Sequence, residues 1–198
     1  MCNKVLGVVA LICAPFFCID FLDNQVNSTA SWTTGLYGFI YMLGWMASII
    51  GLYRLKAAGS FPAAKAILIL QFLFLLLAQA FNVDVLIHGS IYNELQTSLD
   101  PFWPISNGFM LVTGVAVLRA NQLQGWHKWI PLITGFWLPT LLLLRGFGIE
   151  SFYFAGFYSA IAWTLLAVVI YTARPFAYKK AIVRSLHRKA ARKQSMKL

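Results

Sequence analysis

Apolar residues fall into six runs separated by short polar stretches. A helix rises about 1.5 Å per residue, so a run of about 20 crosses a hydrocarbon core of about 30 Å. The pattern predicts transmembrane helices at residues 5–22, 32–53, 66–87, 104–118, 129–147 and 152–173. The expected fold class is all-α: a polytopic membrane protein of six helices arranged as three hairpins. Two shorter elements complete the prediction. Ile91, Leu95 and Leu99 recur at helical spacing up to Asp100–Pro101, which suits a short amphipathic helix over the outer mouth. It would act as a connector, or as a lid carrying Glu94. Beyond Pro175, Ile182, Val183, Leu186 and Ala190 form an apolar strip among cations. The division is therefore a bundle at 1–173 and a basic cytoplasmic amphipathic tail helix at 174–198.

The fourth run is the shortest. About 15 residues cover only ~22 Å of helix. Omitting it would place the basic tail across the membrane from the other basic loops, against the charge rule. Local thinning around a short helix costs less.

Composition agrees with a membrane solvent. The chain is 60% hydrophobic and 11% charged, against about 25% charged residues in soluble domains. Mean hydropathy is +0.70. Charge then sets orientation. Asp20, Asp23, Asp84, Glu94, Asp100 and Glu150 fall on one face of the six-helix scheme. Lys4, Arg54, Lys56, Lys65, Arg119, Lys128 and every Lys and Arg from Arg174 onward fall on the other, and only Arg145 breaks the pattern. Cytoplasmic loops retain Lys and Arg, so both termini are expected in the cytoplasm of a plasma or bacterial inner membrane. Trp32, Trp103 and Phe152–Tyr153–Phe154 would anchor the outer interface, and Tyr53, Trp126, Trp129 and Tyr171 the inner one. The first run, after Lys4, is read as a retained helix because Asp20 and Asp23 do not suit a cleaved leader.

Cys13 and Cys18 are five apart on one helix and cannot bridge, and Cys2 is read as an ordinary reduced thiol at the inner surface. The sequon Asn27–Ser28–Thr29 lies too near the first span to be glycosylated. The strings Ala14 to Asp20 and Ala78 to Asp84 share an outline that Pro139 and Arg145 echo in run five. Apolar helices resemble one another by composition, so this is weak support for three related hairpins.

Candidate chemistry gathers in three places. At the outer ends of the odd helices, Asp20, Asp84, His88, Arg145 and Glu150 form a charge set. A guanidinium at that depth needs an anion partner, so Arg145 is expected to pair with Asp20, Asp84 or Glu150. The set would hold a polar head group, or it would simply lock helices together. Asp84 and His88, at i and i+4, have metal-ligand spacing, but no further His or Cys accompanies them, and hydrogen bonding is the expected use. No metal is assigned, and no motif specifies a cofactor. Near mid-membrane, Trp45, Trp137 and Trp163 stand where tryptophan is uncommon. With the amides of Gln71 and Gln79 they are expected to wall a cavity for a hydrophobic ligand. Asn82 extends that amide stripe, whose alternative use is hydrogen bonding between helices. In the tail, Lys179, Lys180, Arg184 and Arg188 are expected to meet the anionic inner leaflet rather than nucleic acid. Gly44, Ala47, Ser48 and Gly51 form a small-residue seam for close helix contact, within the bundle or against a second subunit.

The reading these features favour is a non-enzymatic protein that binds or moves a small amphipathic or hydrophobic ligand from the outer side. Two other readings stand beside it. One is an accessory or structural subunit that docks on a larger membrane complex, or on its own copy. The other is an intramembrane enzyme using Asp20, Asp84 and His88.

Overall fold

The structure is a computed structural model that describes residues 2–26, 32–89, 93–149 and 152–173. The tail with Lys179, Lys180, Arg184 and Arg188, together with Glu150, Ile91 and the sequon, lies outside the described residues.

Among the described residues every regular element is helical. They are α1 (Asn3–Cys13), α2 (Phe16–Val26), α3 (Trp32–Arg54), α4 (Pro62–His88), α5 (Glu94–Leu99), α6 (Phe102–Ala120), a 3-10 turn at Gly125–Lys128, α7 (Ile130–Gly135), α8 (Trp137–Gly146) and α9 (Phe152–Thr172). Five helices are long and apolar enough to cross a membrane. The count is six when the pair Gly125–Gly135 and Trp137–Gly146, bent by 45°, is one span. This is the architecture of a multi-pass membrane protein.

Three departures from the expected helices have local causes. The first span is interrupted between α1 and α2 at Pro15, which has no N–H to continue the ladder. The fifth bends between α7 and α8, because Pro139 removes the donor that Gly135 would have met four residues later. At that bend the Tyr158 hydroxyl donates to the Ile133 carbonyl at 2.7 Å, tying α9 to it. The fourth span is not short. Prolines are tolerated in a first helical turn, so Pro101 and Pro104 do not delay α6, and α5 leads directly into it.

The helices close into a ring. Each span packs on its neighbours in sequence, and the first and last meet through contacts of α1 and α2 with α9. Span one, through α1 and α2 together, packs on α3 about as extensively as α3 packs on α4. α6 and α7 approach closely through two glycines: a Cβ on Gly114 would lie 2.4 Å from Leu132 Cα, and one on Gly135 would lie 2.7 Å from Leu111 N. The small-residue seam of α3 is spent inside the bundle. Gly44 faces Cys13 and Ala10 of α1, and Gly51 faces Ile170 of α9.

The described charges segregate to the two ends of the ring. Lys4, Arg54, Lys56, Lys65, Arg119 and Lys128 mark one, the basic end. Asp20, Asp23, Asp84, Glu94 and Asp100 mark the other, with Arg145 among them.

Candidate functional site

At the acidic end, α4 runs to His88 and stops at Gly89, whose φ of 72° is left-handed and whose N–H returns to Val85 O at 2.8 Å. α5 is preceded by its N-cap Asn93, whose side-chain oxygen accepts from Gln96 N at 2.7 Å. Asp84 fastens these two helices together. One carboxylate oxygen accepts from Asn93 Nδ2 and from Gln96 Nε2, each at 2.8 Å. The other pairs with His88 Nδ1 at 3.0 Å. Gln96 is only 1% exposed and also donates to the Gly89 carbonyl at 2.9 Å. The carboxylate is thus a structural anchor between the end of α4 and the start of α5, and Glu94 in the first turn of α5 is exposed.

Asp20 and Arg145, also expected here, do not join Asp84. Asp20 rides on α2, which packs against α9 and α3, whereas Arg145 rides on α8, which packs against α6, α7 and α9. Neither α2 and α4 nor α2 and α8 are among the extensively packed helix pairs. Arg145 is exposed, and among the described residues the ion pair is that of His88 with Asp84. Ring order is the physical reason: the backbones of α2 and α8 pack on α9 rather than on each other, and what meets between them in the interior is the ring pair Phe17 and Trp137, not charges. Asp23 accepts instead from Thr33 Oγ1 at 3.2 Å, across the start of α3.

The amide stripe of α4 faces inward and bridges helices. Gln71 donates to the Ser106 carbonyl at 3.1 Å and accepts from Thr113 Oγ1 at 3.4 Å, both on α6. Gln79 donates to the Phe39 carbonyl of α3 at 3.3 Å. Asn82 is pressed against Gly38 of α3. Gln79 Oε1 and Asn82 Nδ2 are buried without a partner.

Trp45, Trp137 and Trp163 are all interior, at 0%, 2% and 2% exposure. Other rings pack between them. Trp45 meets Trp163 edge-on at 4.9 Å, and Tyr41 lies 5.6 Å from Trp163. Phe17 stacks on Tyr41 at 4.7 Å and meets Trp137 at 5.7 Å. Trp103 closes on Trp137 at 5.3 Å. One continuous aromatic core therefore joins α2, α3, α6, α8 and α9. Trp103, expected at the interface, belongs to it. Trp137 Nε1 donates to the Ala155 carbonyl at 2.8 Å, not to the α4 amides. Trp45 Nε1 and Trp163 Nε1 have no acceptor. A buried donor left unpaired costs about 1–3 kcal/mol, and these two stand on adjoining rings.

Sequence reasoning missed Asn93, Gln96, Phe17 and Tyr41. Asn93 and Gln96 carry a readable signal, since Asn followed three residues later by Gln is a helix-start pattern. Phe17 and Tyr41 carry none, for any apolar helix contains such rings.

Among the described residues no three His, Cys, Asp or Glu side chains converge as metal ligands. Comparison with protein-family models, with curated proteins and with solved structures finds no match to this chain.

Proposed function

We propose that this is a non-enzymatic integral membrane protein that binds, or carries inward from its acidic end, a small amphipathic or hydrophobic ligand. The observation that carries the reading is the pair of indole N–H groups of Trp45 and Trp163, buried side by side without an acceptor. An apolar ligand with one acceptor oxygen is the chemistry that complements them: its body replaces ring contacts and its oxygen accepts from indole. Gln79 Oε1 and Asn82 Nδ2 add one acceptor and one donor for a hydroxyl or amide elsewhere on such a ligand.

The two other readings have less to stand on. A docking subunit would use the α3 seam, but Gly44 and Gly51 already meet α1 and α9. Catalysis at Asp84 would need its oxygens, and both are engaged by Asn93, Gln96 and His88.

The test is mass spectrometry of small molecules retained by the detergent-extracted protein, compared with the Trp45→Phe/Trp163→Phe double variant. A discrete species held by the wild-type chain and lost from the double variant is expected. No retained species, or equal retention by both, would overturn the reading.

A further inference from the structure

At the basic end, the turn between α3 and α4 is tightly built. The N–H of Ala57 returns to Leu52 O at 2.9 Å, and that of Lys56 to Tyr53 O at 3.0 Å. This pair of bonds is the glycine-type helix stop, in which the residue after the helix takes left-handed backbone angles. Here that residue is Lys56, with φ 52°. Glycine is the residue that fits such a position without strain, so a lysine there sets a cation at a rigid point against backbone preference. Ala57 and Ala58, both 0% exposed, hold the turn against the bundle. One turn into α4 stands Lys65.

Two adjoining hollows meet at this turn. One, of about 160 Å³, is lined by Tyr53, Lys56, Gly59, Lys65 and Leu68. The next, of about 170 Å³, climbs the α3–α4 face past Ile49, Ile50, Ile69 and Phe72, and shares Tyr53 and Leu68 with the first. An apolar groove thus runs along the helices and ends on two lysines and a phenol. Every described carboxylate lies at the opposite end of the ring, so the charge of Lys56 and Lys65 is unopposed locally.

We propose that this groove is a binding site for an anionic glycerophospholipid. Its phosphate sits between the Lys56 and Lys65 ammonium groups, beside the Tyr53 hydroxyl, and one acyl chain lies on Ile50, Leu68 and Phe72. Charge complementarity chooses this occupant over a zwitterionic lipid, and the length of apolar wall chooses it over a soluble phosphate. The site is distinct from the tryptophan core, with which it shares α3 but no lining residue.

The experiment uses the full chain in nanodiscs of mixed phosphatidylglycerol and phosphatidylcholine, followed by release into gentle detergent and native mass spectrometry. A cation near the membrane surface favours an anionic lipid by roughly fivefold, so two predict a preference of roughly 30-fold. Lys56→Gly relieves the left-handed strain while removing the charge, so the variant keeps its fold, which far-UV circular dichroism verifies. Lys56→Gly and Lys65→Gln should each lower the preference about fivefold, and the pair should abolish it. A third variant replaces Lys179, Lys180, Arg184 and Arg188 by Gln and should retain the preference. The proposal is overturned if the turn variants keep the preference, or if only the tail variant loses it.

Discussion

Trp137 and Trp163 are both buried tryptophans near mid-bundle, yet the same substitution should affect them differently. Changing either indole to phenyl removes on the order of 40 Å³ from a packed site. At about 24 cal/mol per Å³ that is roughly 1 kcal/mol before any lost contacts. For Trp137 the bond from Nε1 to the Ala155 carbonyl at 2.8 Å also goes, worth about 1 kcal/mol net. Trp137→Phe should therefore destabilise by about 2–3 kcal/mol. For Trp163 the deleted N–H had no acceptor. Its unmet desolvation, about 1–3 kcal/mol, is relieved and offsets the cavity. Trp163→Phe should fall within about 1 kcal/mol of wild type. The assay is reversible unfolding of ligand-stripped protein by SDS titration in mixed micelles, read by far-UV circular dichroism so that loss of a fluorophore does not interfere. Equal destabilisation by the two variants would refute the reasoning, because it would mean that the Trp163 N–H has a partner inside the bundle.

Asp84→Asn can still offer one oxygen to Asn93 and Gln96, whereas Asp84→Ala cannot. Hydrogen exchange at the α5 amides, residues 94–99, should rise strongly in the alanine variant and little in the asparagine one, and similar exchange in both would argue against the anchor. Single cysteines placed at Ser60 and Ser98, both exposed and at opposite ends of the ring, should react with a membrane-impermeant thiol reagent from opposite sides in a cysteine-free background. Labelling of both from one side would sink the proposed topology.

The helices themselves were legible in the sequence because hydrophobic runs of membrane-crossing length have few alternatives. The fourth span was expected at 104–118, whereas the helix starts at Phe102 and runs to Ala120. Proline forbids helix only where a preceding carbonyl needs its N–H, and in a first turn none does. The bend after Gly135 was written in Pro139, four positions downstream. The charge cluster was not legible, because Asp20, Asp84 and Arg145 share a depth but not a neighbourhood. Depth follows from position in each run, whereas neighbourhood follows from ring order, which no single helix encodes. The tryptophans were recognised as interior, but the rings that fill the space between them were not. Phe17 and Tyr41 differ in no local way from aromatic residues that face lipid.

Closure of the ring by α1 against α9 makes the timing of synthesis matter. The chain emerges from the ribosome N-terminus first, so α1 waits for its most distant partner until the final helix has been inserted. Its Gly7 face, which meets the Tyr171 backbone of α9, spends that interval uncovered. The aromatic core waits as well, since Trp163 arrives on the same last helix. Contacts so far apart along the chain slow folding, and they leave the interior incomplete until α9 joins. A nascent chain stalled before α9 would hold the earlier helices in the membrane with an unsealed flank between α1 and α7. Such a flank is the kind of surface that membrane quality-control factors could read as unfinished.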